Sequence, residues 1–180
     1  TKTITMTPIS NTAANVDRYA NGEGLRAFVA SYAAMGANAP TMQLTYTNSA
    51  GTTGRTTTAG IVSTASATSG TILNSGNAAN KVGPFLTLAA GDTGIKDLES
   101  LAWGGTAHAS GSVFIGLCKP LCMPIPVPAT GLYNMVDFVN TLPSMPRLRN
   151  GANIQFLVFG TGATTAAATL YTNFDYGWGG

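Results

Sequence analysis

Few residues in this chain are equipped for chemistry: a single histidine, His108, two cysteines, Cys118 and Cys122, and one acidic group, Asp92, Asp97 and Glu99. His108 lies in GGTAHASG with Ser110 close by, so a serine–histidine pair is conceivable. A serine hydrolase also needs an orienting carboxylate and an oxyanion site, and no nucleophile elbow surrounds this serine. A solvated turn histidine is the preferred reading. The three carboxylates could hold calcium through oxygen ligands, or work as an acid pair on a glycosidic bond. No further carboxylates cluster near them, which favours a polar turn followed by a solvated strand face. His108, Cys118 and Cys122 offer three zinc ligands but no fourth at motif spacing.

Cys118 and Cys122 are also poorly placed for a disulfide. Along an extended strand a separation of this kind puts the Cα atoms about 13 Å apart, so only a tight turn at Lys119-Pro120 could bridge them. Two reduced thiols used as small apolar packing residues are expected, which favours synthesis in a reducing compartment. Glycine-rich pieces do not rescue a catalytic reading. Gly91-Asp92-Thr93-Gly94 and Gly160 to Thr164 lack the lysine of a Walker loop and do not open a helix after a strand, so they read as turns. Tyr171, Tyr176 and Trp178 could form a sugar-stacking platform, but core and strand-end positions suit them better. No catalytic residue, cofactor or metal ligand is assigned.

What must position these side chains is unusual in composition. Charged residues make up 9% of the 180 positions, with nine basic and seven acidic side chains and a net charge of +2. Ordinary soluble domains carry about 25%. A surface built mainly of hydroxyl, amide and methyl groups repels itself weakly and costs little to desolvate, as the centre of a stable protein interface requires. The chain therefore reads as one made to be packed against protein. The small net charge, with Arg147 and Arg149 as its one tight basic pair, argues against nucleic acid as a partner. No run approaches the 18 apolar residues of a membrane helix, so no membrane partner is expected either.

The pattern along the chain is that of strands. Leu25 to Tyr32 and Thr41 to Thr47 alternate, the second placing Met42, Leu44 and Tyr46 on one face. Asn48 to Gly54 is turn chemistry, and Arg55 to Ala59 resumes as a threonine-rich strand, giving a hairpin with Tyr46 near its base. Ile61 to Asn80 is read as a long surface excursion with a short strand around Ile72 and Leu73. Phe85 to Leu88 alternates, Gly91 to Gly94 turns, and Ile95, Leu98, Leu101 and Trp103 follow, the first pair at a spacing that one helical turn would also produce. Gly111 to Lys119 is a compact apolar strand stopped by Pro120. Pro124, Pro126 and Pro128 confine the next stretch to an edge or the surface. Tyr133 to Val139, Asn153 to Phe159 and Thr169 to Trp178 supply further strands.

About eight strands without a long helix predict an all-β antiparallel sandwich, jelly-roll-like, with an immunoglobulin-like sandwich as the alternative. Residues 22–180 form its single domain. Residues 1–21, with alternation at Ile4 and Met6 and then Pro8, read as an extended N-terminal arm or an edge strand.

The pieces GRTTT, GPFLTLAAGDTGIKDLESLAW, FIGLCKPL, PSMPRLRNGANIQFLVF and FDYGWGG, in that order over roughly residues 40 to 180, resemble a group of small structural proteins of tailed bacteriophages encoded with head genes. The resemblance implies a non-enzymatic virion component: a capsid decoration or cement protein on the outer surface of the head, made in the host cytoplasm. It implies the major capsid protein and copies of the same chain as partners, with a homotrimer by analogy. The N-terminal arm matches no pattern of the group. Ile4, Met6, Pro8 and Ile9 are its candidate partner contacts. The alternatives are a carbohydrate-binding or adhesin-like β-sandwich reading a host-surface glycan through tyrosine and tryptophan stacking, and a jelly-roll major capsid protein.

Overall fold

The computed structural model describes residues 2–5, 19, 21–73, 84–121, 154 and 157. Among these residues seven strands follow one another: β1 (Lys2–Thr5), β2 (Arg26–Ala33), β3 (Thr41–Asn48), β4 (Arg55–Thr56), β5 (Ile61–Val62), β6 (Ile95–Gly104) and β7 (Ser112–Cys118). There is no α-helix among the described residues. The first sheet runs β1-β6-β3-β4, with β5 also pairing β3, and the second sheet is the β2-β7 pair. Every pairing is antiparallel. The two sheets pack face to face as a β-sandwich, the architecture predicted by the strand pattern.

The core follows from alternation. On β3, Met42, Leu44 and Tyr46 point inward and are fully buried, while Thr41, Gln43 and Thr45 are only partly covered. On β2, Ala27 and Val29 turn to the same core, and Val113, Ile115 and Leu117 of β7 pack against it. Burying one such aliphatic side chain is worth about 1.5–3 kcal/mol, so this one face supplies much of the force that closes the sandwich.

β6 departs from simple alternation. Ile95, Leu98, Leu101 and Trp103 are all buried, yet the first three sit at helical spacing. The register explains it. Tyr46 is opposite Leu98 while Thr45 is opposite Ser100, so Glu99 is an extra residue. Asn48 is opposite Ile95 while Thr47 is opposite Asp97, so Lys96 is another. Each bulge re-aims the strand and returns the next apolar side chain to the core. The helical turn that the Ile95–Leu98 spacing would allow is replaced by a bulged strand.

The described part of the Ile61 to Asn80 stretch is only partly the expected surface excursion: Ala65, Ser66 and Thr68 to Gly70 are exposed, while Ile61, Ala67, Ile72 and Leu73 are buried and anchor it to the body. Hydroxyls make this possible by satisfying backbone carbonyls. Thr64 Oγ1 donates to the Leu73 carbonyl at 2.8 Å and Ser31 Oγ donates to that of Thr68. Ile72 bridges Ala30, and the Leu73 N–H donates to the Val29 carbonyl, which covers the free edge of β2.

The outer face of the second sheet carries a smaller apolar cluster, Phe28, Ala30 and Ile72, against which Phe85, Cys118 and Leu157 pack. Lys2–Thr5 of the N-terminal stretch is the outermost of the described strands of the first sheet, and Ile4 stands opposite Leu101. Met6, Pro8 and Ile9 lie outside the described residues.

Candidate functional site

A dense polar cluster in the described structure is built on Asp92, and it unites the β3–β4 hairpin with the distant turn before β6. Gly91 takes a positive φ of 84°, which favours glycine, and carries the chain around the turn before β6. Asp92 follows with its side chain 5% exposed. Its Oδ2 accepts from the Tyr46 phenol at 2.6 Å and from Arg55 Nε at 2.9 Å, and its Oδ1 accepts from Asn48 Nδ2 at 2.8 Å. The phenol oxygen in turn accepts from the Ala89 N–H at 2.9 Å. Asn48 Oδ1 accepts from the Thr52 N–H at 2.8 Å, shaping the β3–β4 turn.

The electrostatics of this cluster suit a pin. Charge-assisted hydrogen bonding from Arg55, then from Tyr46, holds the Asp92 carboxyl down at about 2. Burial, then the bond to Asp92, pushes the Tyr46 phenol up to about 12. Arg55 is held further above its ordinary value by the same carboxylate. Near neutrality the carboxylate is charged and the phenol neutral, and neither is poised to exchange a proton. Both carboxylate oxygens are occupied, so the cluster fastens the Gly91–Gly94 turn to the β3–β4 hairpin.

The other acidic residues do not join it. Glu99 Oε1 accepts from Thr47 Oγ1 at 2.9 Å and from the Gly54 N–H at 3.0 Å, at the bulge that displaces it from the ladder. Asp97 stands opposite Thr47. Among the described residues no group of three His, Cys, Asp or Glu side chains could hold a metal ion. Gly94 has a different role from a phosphate cradle: a Cβ there would lie 2.1 Å from the Gly22 carbonyl oxygen, because two backbones cross at that point.

His108 is not the solvated turn residue expected. It is half-buried, with Nε2 2.9 Å from Ser63 Oγ, Nδ1 3.2 Å from the Gly36 carbonyl, and its ring edge-to-face with Trp103 at 5.4 Å between centroids. A carbonyl only accepts, so Nδ1 carries hydrogen, and in the neutral ring Nε2 accepts from the Ser63 hydroxyl. The serine partner is therefore Ser63 rather than Ser110. Its 45-residue separation from His108 left no signal in the sequence. The order hydroxyl, imidazole, acceptor resembles a nucleophile relay, but Ser63 is fully buried and the acceptor is a neutral carbonyl. The arrangement joins the β6–β7 connection to the segments before β3 and after β5. Asn38 Nδ2, donating to the Ala107 carbonyl at 2.8 Å, reinforces the same junction.

Cys118 belongs to the outer cluster with Phe28, away from the core that His108 touches through Trp103. Burial pushes its thiol up, as fits a packing residue. Cys122, the arginine pair Arg147 and Arg149, the Gly160 to Thr164 turn, and Tyr171, Tyr176 and Trp178 lie outside the described residues. Compared with protein-family models, curated proteins and solved structures, the chain matches none.

Proposed function

We propose that this protein is a non-enzymatic structural component of a virion, a decoration or cement protein that binds across capsomers of a phage head and acts as an oligomer. The observation that carries the reading is how its few ionic groups are distributed. The chain has only nine basic and seven acidic side chains. Asp92 and Glu99 are engaged in holding turns to strands, and His108 in joining loops. Glu23 and Lys119 are exposed, but with charged residues at 9% of the chain most of the exterior is left to hydroxyl, amide and methyl groups, which can be buried against protein with few charges to strip of water. The resemblance of the ordered sequence pieces to head-associated phage proteins supports the same reading. Burial of such surface across a subunit boundary would stabilise the assembled shell by mass action, because the protein binds the assembled capsomers and not the dissociated ones.

The deciding experiment is cosedimentation of the intact chain with shells assembled from the cognate major capsid protein, followed by imaging of the decorated particle. Saturable binding at a fixed copy number per capsomer is the expected result. A chain that stays in the supernatant at micromolar shell concentrations would remove the proposal.

A further inference from the structure

Asn21-Gly22 is one of two Asn-Gly pairs in the chain, the other being Asn150-Gly151, which lies outside the described residues. Such a pair is chemically labile in water. The Gly22 amide nitrogen, once it has given its proton to base, can attack the Asn21 side-chain carbonyl carbon, whose bond to the amide nitrogen then breaks so that ammonia leaves. Water opens the resulting five-membered imide at either carbonyl. One opening gives aspartate, and the other gives isoaspartate, in which the main chain runs through the side-chain carbon. The attack needs a free N–H and room for the backbone to swing. The fold supplies neither. Asn21 is exposed, but Gly22 is buried. Its N–H donates to the Tyr19 carbonyl at 2.6 Å, and its carbonyl accepts from the Leu25 N–H at 3.0 Å. A Cβ on Gly22 would run into the Ile95 carbonyl, at a crossing where Glu23 bridges Gly94 and the Gly24 N–H donates to the Thr93 carbonyl at 3.1 Å.

We infer that Asn21 is a deamidation site which the folded chain silences, and that opening of the crossing between residues 22–24 and 93–95 commits it to a one-way change. The chemistry is slow beside local opening, so its rate follows the fraction of time that the crossing is open. Isoaspartate adds one carbon to the main chain immediately before Gly22, a lengthening of about 1.5 Å. Gly22 is packed against the Ile95 backbone and has no space to absorb it. Aspartate leaves the backbone length unchanged, and its charge falls at an exposed position. The two products of one reaction therefore differ in consequence. Only isoaspartate holds the crossing open, and with it the fastening of the segment before β2 to the turn before β6. The inference does not rest on the shell reading.

The test uses the full chain in an Asn150→Gln background, which leaves a single Asn-Gly pair. Samples are aged at mildly alkaline pH in buffer and in denaturing guanidinium chloride. The tryptic peptide from Tyr19 to Arg26 is then followed by mass spectrometry, with the two products separated by chromatography. Conversion in buffer should be slower than in denaturant by about tenfold or more. After refolding of the denaturant-aged chain, the fraction carrying aspartate should regain the thermal midpoint of fresh protein. The fraction carrying isoaspartate should melt lower. Asn21→Asp should melt with the first fraction, and Asn21→Gln should pass through the same ageing unchanged. Equal conversion rates in buffer and denaturant would overturn the inference. So would isoaspartate-bearing chain that melts with fresh protein, or Asn21→Asp that melts as low as the isoaspartate fraction.

Discussion

The Tyr46 phenol donates to Asp92 Oδ2 at 2.6 Å while accepting from the Ala89 N–H at 2.9 Å, so one buried hydroxyl ties the central strand of the first sheet to both ends of the turn that leads into β6. Tyr46→Phe keeps the ring and its packing but removes both bonds. It leaves the Ala89 N–H without its acceptor and the carboxylate with one donor fewer. Loss of buried partners of this kind costs about 1–3 kcal/mol. Urea denaturation should show a lower midpoint with an unchanged slope, since the surface exposed on unfolding is the same. An unchanged midpoint would mean that the pin contributes nothing.

The same pair sets two pH limbs. The Asp92 carboxyl is held at about 2 in the folded chain, below the roughly 3.9 of an unfolded aspartate. Its contribution is therefore present above about pH 4 and is lost as pH falls towards 2, because the unfolded chain binds the proton first. Tyr46 is raised from 10.0 to about 12. Its contribution is present below pH 10 and is lost as pH rises through 12. Melting temperature against pH should fall at both extremes. The difference between the wild-type chain and Tyr46→Phe should shrink between pH 10 and 12, and a difference that stays constant there would refute the assignment.

How much of this was legible beforehand depended on whether a signal was local. β3 was read within one residue of its end because Met42, Leu44 and Tyr46 alternate without interruption. β7 was read from Gly111 to Lys119 and spans Ser112–Cys118. β6 was ambiguous because Lys96 and Glu99 each add a residue to the ladder, and bulges convert a strand's period into something close to a helix's. The Ile61 to Asn80 stretch is legible only in its exposed part, because serine and threonine look like surface even where their hydroxyls find carbonyls inside. The hubs were least visible. Tyr46 and Asp92 are 46 residues apart, and Ser63 and His108 are 45 apart. Nothing in local pattern marks such pairs.

If the proposed attachment to a shell relies on uncharged surface, its salt dependence should be shallow. Ion pairs between exposed groups weaken as the screening length falls from about 30 Å at 0.01 M to about 10 Å at 0.1 M, whereas burial of apolar and hydroxyl surface does not. Occupancy on particles, measured by quantitative gel after sedimentation, should change by less than about twofold over that range. Steep release would assign the binding to the few arginines and lysines instead.

A last expectation concerns the outer face of the second sheet, where Gly116 stands opposite Phe28. A Cβ at Gly116 would lie 2.3 Å from two carbons of the Phe28 ring, so the ring occupies the space that any other residue would need. The ring also meets Phe114 edge-on, with centroids 6.0 Å apart, and belongs to the cluster with Ala30 and Ile72. Gly116→Ala must therefore push the ring off its neighbours, an overpacking cost of about 1–3 kcal/mol. Phe28→Leu alone loses part of the cluster and should also destabilise. In the double variant the smaller side chain makes room for the methyl group, so the combined loss should be smaller than the sum of the two single losses by about 0.5–3 kcal/mol, the range for residues in direct contact. Additive losses would show that the ring is free to swing aside and that the glycine is not needed to seat Phe28.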